Sequence, residues 1–248
     1  MIGNIRALIF MTGMISAAVL YWPVAVAVYF CEAKFRSRVI GLWAYFVIWL
    51  LKVVCGLRHE VEGLENLPSV PSVIFSKHQS AWETIAYQTI FPPQAWVLKR
   101  SLLHIPFFGW GLAATHPIRI NRSEVRRALE EVIQQGKSVL EEGRWVVVFP
   151  EGTRIDPGKH GTYMASAALL AVRAGVPLVP VAHNAGDFWR RREFRKRPGT
   201  IRVRIGEPIY PDQLKPRQMN QMAEQWIRKT MPEISPAYAA DDLPDETL

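Results

Sequence analysis

The sequence predicts an α/β domain, with a largely parallel central sheet flanked by helices, preceded by an N-terminal helical hairpin embedded in a membrane. Three observations predict it. Two long uncharged stretches occupy most of the first 51 residues. Beyond Leu57, short apolar runs bounded by turn residues alternate with helical patterns, which is the mark of β-α units. Most of those runs are continuous, as in strands buried on both faces of a sheet.

The elements follow in order. Ala7 to Cys31 carries no charge over 25 residues, long enough to cross a bilayer, with Pro23 tolerated in such a setting. Lys34, Arg36 and Arg38 read as a basic turn. Val39 to Leu51 is uncharged again but only 13 residues long, so a re-entrant or interfacial helix is expected, with Trp43, Tyr45 and Trp49 near the headgroups. Val61 to Pro68 reads as a loop. Strands are predicted at Pro71–Lys77, Ala95–Leu98, Thr115–Ile120, Arg144–Phe149 and Pro177–Ala182. Thr200–Ile205 alternates with period two and suits a half-exposed edge strand. Helices are predicted at Ala81–Ile90, Glu124–Glu142, Met164–Ala174 and Arg217–Met231, several of them closed by Gly or Pro. The tail from Asp241 is acidic and expected to be mobile. Residues 1–56 thus form an attachment segment and residues 57–248 one catalytic domain.

With 30 Lys and Arg against 22 Asp and Glu, the formal charge is +8. A basic protein seeks phosphates on nucleic acid, anionic lipid or a phosphorylated substrate. Cys31 and Cys55 form no C-x-x-C pair, and the six histidines show no ligand spacing, so neither a disulfide framework nor a metal site is expected. Free cysteines are consistent with a domain facing the reducing cytoplasm; the expected location is the plasma (inner) membrane.

In folds of this kind ligands gather beyond the carboxyl ends of the strands. Two polar clusters sit there: His78-Gln79-Ser80-Ala81-Trp82-Glu83 and Pro150-Glu151-Gly152-Thr153-Arg154. Between them lies Lys99-Arg100-Ser101-Leu102-Leu103-His104-Ile105-Pro106-Phe107-Phe108-Gly109, and after them Val176-Pro177-Leu178-Val179-Pro180-Val181. Together these four blocks resemble the glycerolipid acyltransferase family, and within it the 1-acylglycerol-3-phosphate acyltransferases, with H-x-x-x-x-D, K-x-E-L-x-x-I-P-x-x-G, E-G-T-R and V-P-[IV]-x-P-V in that order. Glu83 replaces the commoner Asp, Ser101 replaces the middle acid, and Tyr163-Met164-Ala165-Ser166 replaces F-K-x-G.

The resemblance implies transfer of a fatty acyl group from acyl-CoA or acyl-carrier protein to a lysophospholipid hydroxyl, with no cofactor. Such a reaction needs a base for the hydroxyl proton, and a neutral imidazole suits it near pH 7. His78 is that base, and Glu83 is the carboxylate that fixes its tautomer. Glu83 also completes an S-x-x-E capping box with Ser80 and can serve that purpose alone. No serine or cysteine elbow motif accompanies His78, which favours direct attack over an acyl-enzyme. Guanidinium suits a phosphate, so Arg154 is assigned to it with Lys99. Arg100, Gly152 and Thr153 belong to the same binding blocks. Arg119 and Arg122 either line that site or face water. By resemblance Glu151 positions the glycerol or the phosphate-binding arginine.

A second basic run, Trp189 to Arg197 with interleaved aromatics, suits anionic headgroups or an acidic carrier protein. No nucleic-acid module surrounds it. Two rival readings stand beside the first: an acyltransferase for another lysolipid acceptor, and a non-catalytic binder of anionic membranes.

Overall fold

A computed structural model describes residues 2–105, 108–121 and 124–238. Arg122 and the acidic tail lie outside the described residues. Seven strands form one sheet: β1 (Leu57–Glu62), β2 (Val73–Ser76), β3 (Gln94–Lys99), β4 (Ile118–Ile120), β5 (Trp145–Val148), β6 (Leu178–His183) and β7 (Gly199–Ile205). Their spatial order is β1-β7-β6-β2-β5-β3-β4. All neighbours pair in parallel except β6 and β7. The carboxyl ends of β2, β3, β5 and β6 therefore share one edge.

Both faces of the sheet are covered. Ile74, Val147, Val179 and Val181 point to one core, and Val73, Phe75, Val146, Val148 and Leu178 to the other. Burial on both sides explains the unbroken apolar runs of β2, β5 and β6. The second core is closed by α5 (Val125–Glu141), α6 (Ser166–Ala174) and α8 (Pro216–Ile234). The first is closed by α3 (Trp82–Ile90) and by two N-terminal helices, α1 (Ile2–Ala27) and α2 (Ala33–Cys55). Two short helices complete the fold, α4 (Phe108–Ala114) and α7 (Ala185–Phe188).

Three expectations are corrected here. First, Leu57–Glu62 is a strand, although Val61 was read as the start of a loop. Its inward positions hold Leu57, His59 and Val61, and the polar His59 broke the apolar alternation; its ring lies 5.5 Å from that of Trp82. Second, β7 is not an edge strand. Its outward arginines stand opposite β1 carboxylates in the register, Arg202 against Glu60 and the half-buried Arg204 against Glu62. Arg204 Nε donates to Glu62 at 2.7 Å, and the same guanidinium pairs with Glu233 of α8. Third, the second apolar helix is 23 residues long, because Lys34, Arg36 and Arg38 lie inside it. Arg36 is buried and donates to the carbonyls of Tyr29 and Cys31, so its charge closes the hairpin turn. At the other end Gly56, with φ +66°, donates its N–H to Lys52 O and stops the helix in the left-handed conformation that glycine favours.

At 1.5 Å per residue the two helices are about 39 and 35 Å long. One face meets the domain, through Ala7, Phe10 and Ala25 of α1 and Ile40, Ala44, Val47, Leu51 and Cys55 of α2. The opposite face is bare and apolar, with Ile2, Ile5, Ile9 and Leu20 on α1 and Leu42, Trp49 and Val53 on α2.

Candidate active site

Strand β2 ends at Ser76 and delivers Lys77 and His78 to the carboxyl edge of the sheet. The N–H of Lys77 still pairs with Val181 O of β6 at 3.1 Å. His78 then turns out of the sheet, and its ring stacks on Phe149 at the end of β5, with centroids 4.0 Å apart and planes inclined by 11°. Its Nδ1–H donates to Glu83 Oε1 at 2.8 Å. A carboxylate can only accept, so this contact fixes the proton on Nδ1 and leaves the Nε2 lone pair available. Nε2 has no hydrogen-bond partner among the described residues, and the His78 side chain retains 14% exposure while that of Glu83 has none.

Glu83 sits in the first turn of α3. Besides His78, its Oε1 accepts the N–H groups of Gln79 and Ser80 at 2.8 Å each, while Ser80 Oγ accepts the N–H of Trp82. The expected capping box does not form, since the N-cap is Ala81 without a side-chain cap; the oxygen that holds the histidine instead ties down the Gln79–Ser80 backbone ahead of the helix. Burial pushes this carboxyl's pKa up. The His183 imidazole, the His78 hydrogen bond and charge, and the Ser80 N–H outweigh that and leave it at about 2. Glu83 is therefore ionised at any working pH.

Below the histidine lies a second buried pair. Lys77 Nζ donates to Glu151 Oε1 at 2.5 Å, and neither side chain is exposed. Glu151 Oε2 accepts the N–H of His78 at 2.8 Å. Both carboxylate oxygens of Glu151 are therefore engaged in holding the β2 end. Burial lowers the pKa of Lys77, against the pull of Glu151. The chain then turns at Gly152, whose φ of +64° suits glycine, and its N–H donates to Phe149 O. Ile155 N–H closes the turn onto His78 O at 2.8 Å. The imidazole is thus fixed through its ring, its N–H and its carbonyl.

A family model described as Acyltransferase matches residues 58–184, just over half of the chain and both polar clusters. The chain belongs to the acyltransferase family. This acyltransferase is 47% identical over 220 residues to the 1-acyl-sn-glycerol-3-phosphate acyltransferase of Pseudomonas aeruginosa, covering 86% of each chain. It is 30% identical over 213 residues to the Saccharomyces cerevisiae protein of the same name, covering 80% of this chain and 69% of that one. Among solved structures, the 1-acyl-sn-glycerophosphate acyltransferase of Thermotoga maritima has the same fold, with a TM-score of 0.76 at 23% identity over 92% of this chain and 96% of that one.

The other sequence-predicted residues of this acyltransferase spread along the same edge. Arg154 is half-buried, two residues beyond the Gly152 turn, and makes no hydrogen bond or ion pair among the described residues. Thr153 is exposed and its Oγ1 lies 3.3 Å from Arg191 Nη1. Lys99 ends β3, two strands from β2 and so about 10 Å sideways from His78. Arg119 lies on β4, one strand further out; its backbone is bound by the Gln135 amide of α5 and its side chain is exposed. Arg100 is directed to Glu131 of α5 at 3.9 Å in an exposed setting. The structure therefore brings His78, Glu83, Glu151, Gly152 and Arg154 together, with Lys99 at reach and Arg100 and Arg119 at the periphery.

Two residues escaped the sequence reading. Lys77 is one; a lone lysine ending an apolar strand run was its signal. His183, ending the run of β6, is the other. Its Nε2–H donates to Lys77 O at 2.9 Å and its Nδ1 accepts the N–H of Ala185 at 3.2 Å, a pattern only the neutral ring can make. Burial lowers its pKa, which keeps it neutral beside Glu83, 4.0 Å away.

Proposed function

We propose that this acyltransferase moves a fatty acyl group from acyl-CoA or acyl-carrier protein to the sn-2 hydroxyl of 1-acyl-glycerol-3-phosphate, giving phosphatidic acid. The observation that carries the mechanism is the His78–Glu83 contact, which leaves Nε2 as an exposed proton acceptor. The hydroxyl gives its proton to Nε2 as its oxygen attacks the thioester carbonyl. Glu83, ionised and 2.8 Å from Nδ1, stabilises the imidazolium that forms. The C–S bond then breaks, and the leaving thiolate takes the proton back. No protein nucleophile is needed. The acceptor is supported by the names of the relatives, and a phosphate beside the reacting hydroxyl fits the unpartnered Arg154.

A small apolar cavity under the hairpin, about 70 Å³, has room for only a few methylenes of an acyl chain. It is lined by Tyr21, Trp22, Ile40, Trp43, Trp96 and Leu112. Trp96 stacks on Phe149, with centroids 5.9 Å apart, and Phe149 on His78, so an aromatic path runs from the cavity to the catalytic ring.

Arg154→Ala should raise KM for lysophosphatidate and lower kcat through misplacement of the hydroxyl. The combined loss in kcat/KM is expected at about 2–4 kcal/mol. Kinetics across a panel of lysophosphatidate, lysophosphatidylethanolamine and lysophosphatidylcholine check this. Unchanged kinetics, or a preference for the zwitterionic acceptors, would remove Arg154 and the phosphate from the account.

The bare face of α1 and α2 runs parallel to the face seated on the domain, so the hairpin lies along the bilayer surface with its apolar side buried in one leaflet. The free cysteines Cys31 and Cys55 fit a domain facing the cytoplasm at the inner membrane. Attachment by apolar burial is insensitive to ionic screening. The protein should stay in the membrane pellet in about 1 M salt, where the Debye length is ~3 Å, and leave it only in detergent. Release by salt alone would shift the anchor to the basic run.

A further inference from the structure

The basic run singled out in the sequence is not used by the mechanism above, and the structure divides it in two. Arg195 Nε donates to Asn4 Oδ1 of α1, and Lys196 is buried over the rings of Trp189 and Phe10. Those two tie the loop to the hairpin. The remainder, Arg190, Arg191, Arg192 and Arg197, joins Lys159 around an open, shallow pocket of about 540 Å³. Asp156 and Glu193 are its acidic lining residues, so five cations face two anions and the net charge is +3. Arg197 is paired with Glu193 at 3.1 Å, but the guanidinium groups of Arg190 and Arg192 make no hydrogen bond or ion pair among the described residues. Arg192 adopts φ +63°, which residues other than glycine rarely do. Glu193 N–H closes the turn onto Arg190 O.

This pocket shares a wall with the catalytic histidine. The 155–159 segment that lines it donates Ile155 N–H to His78 O, and Lys159 O accepts from Lys77 Nζ at 3.2 Å and from Tyr238 OH at 3.1 Å. Arg191, on the pocket lining, reaches Thr153 of the Glu151–Arg154 turn. The pocket is built by the loop after β6 and by residues 156–159 beyond the Arg154 turn, whereas Lys99 ends β3, on the far side of β5. A single acceptor phosphate held by Arg154 and Lys99 leaves the cations of this pocket unused. They call for a second anion that enters a concavity, carries several phosphates and reaches the histidine with an uncharged arm.

We propose that Lys159, Arg190, Arg191, Arg192 and Arg197 bind the nucleotide phosphates of coenzyme A, beyond the turn whose Arg154 takes the acceptor phosphate; this rests on the acyl-transfer reading above. Guanidinium groups match phosphate oxygens in pairs and stack on a purine ring, and both contacts are open to the unpaired Arg190 and Arg192.

The test uses the full chain in neutral detergent micelles, with the double variant Arg190→Gln/Arg192→Gln. Binding of CoA and of dephospho-CoA is measured by calorimetry, and KM is measured with acyl-CoA, acyl-dephospho-CoA and acyl-carrier protein. The expected result is that the wild type binds CoA about tenfold more tightly than dephospho-CoA, and that the variant loses this gap. Its KM for acyl-CoA should rise by a similar factor, with KM for lysophosphatidate held. Equal CoA binding by wild type and variant overturns the proposal. So does a rise in KM confined to acyl-carrier protein, which would make the pocket a protein dock, or one confined to anionic micelles, which would make it a headgroup site. A wild type that binds CoA but acylates lysophosphatidate from no thioester would instead sink the acyl-transfer reading.

Discussion

Glu83→Gln should lose about 10³–10⁴-fold in kcat/KM while melting near the wild-type temperature at neutral pH. Glutamine keeps an oxygen that can accept the N–H groups of Gln79 and Ser80, so the start of α3 survives. It carries no charge to stabilise an imidazolium on His78. His78→Ala should be equally inactive, and the double variant barely worse, because residues acting as one unit are not additive. The carboxyl also carries a pH signature. Its folded pKa, about 2, lies below the unfolded value near ~4.3. The stabilisation it provides is therefore fully present above the unfolded value and is lost as pH falls through about 2. Across that window the wild type should lose melting temperature relative to Glu83→Gln, whose amide does not titrate. Near-full activity in Glu83→Gln would reduce Glu83 to a tie for the backbone ahead of α3.

Lys77→Met should destabilise the fold by about 3–5 kcal/mol, because it leaves the Glu151 carboxylate buried without its cation. It should also lower kcat more than KM for the acceptor, since the freed carboxylate no longer holds the His78 N–H in place. Combining it with Glu151→Gln removes the stranded charge and keeps an acceptor for that N–H. The double variant should regain most of the stability and part of kcat. Thermal melts beside kcat and KM check this. A Lys77→Met protein that melts like the wild type would show that the pair does not hold the β2 end.

The central strands were legible because Val73–Phe75, Val146–Val148 and Leu178–Val181 are buried on both faces, and such runs resemble little else. Strand β1 was not, because His59 occupies an inward position that only contact with Trp82 makes acceptable. The start of α2 was hidden for a related reason: Arg36 signals a turn until the Tyr29 and Cys31 carbonyls are brought to its guanidinium. His78, Glu83 and the Glu151–Arg154 turn stood out as polar clusters at the ends of apolar strands. Lys77 and His183 did not, since each is a lone polar residue whose meaning depends on a partner far away in sequence, Glu151 at 74 residues and Lys77 at 106. The division of the 189–197 run into a hairpin tether and an open pocket is likewise invisible along the chain, where its six cations look alike.

The most direct test of the account is transfer of a labelled acyl group from acyl-CoA to lysophosphatidate by the full chain in detergent micelles, run beside His78→Ala. The account predicts labelled phosphatidate from the wild type, rates near the enzyme-free blank from the variant, and no label retained on denatured wild-type protein. A His78→Ala protein that forms phosphatidate at the wild-type rate, or a labelled acyl-enzyme from the wild type, would contradict it.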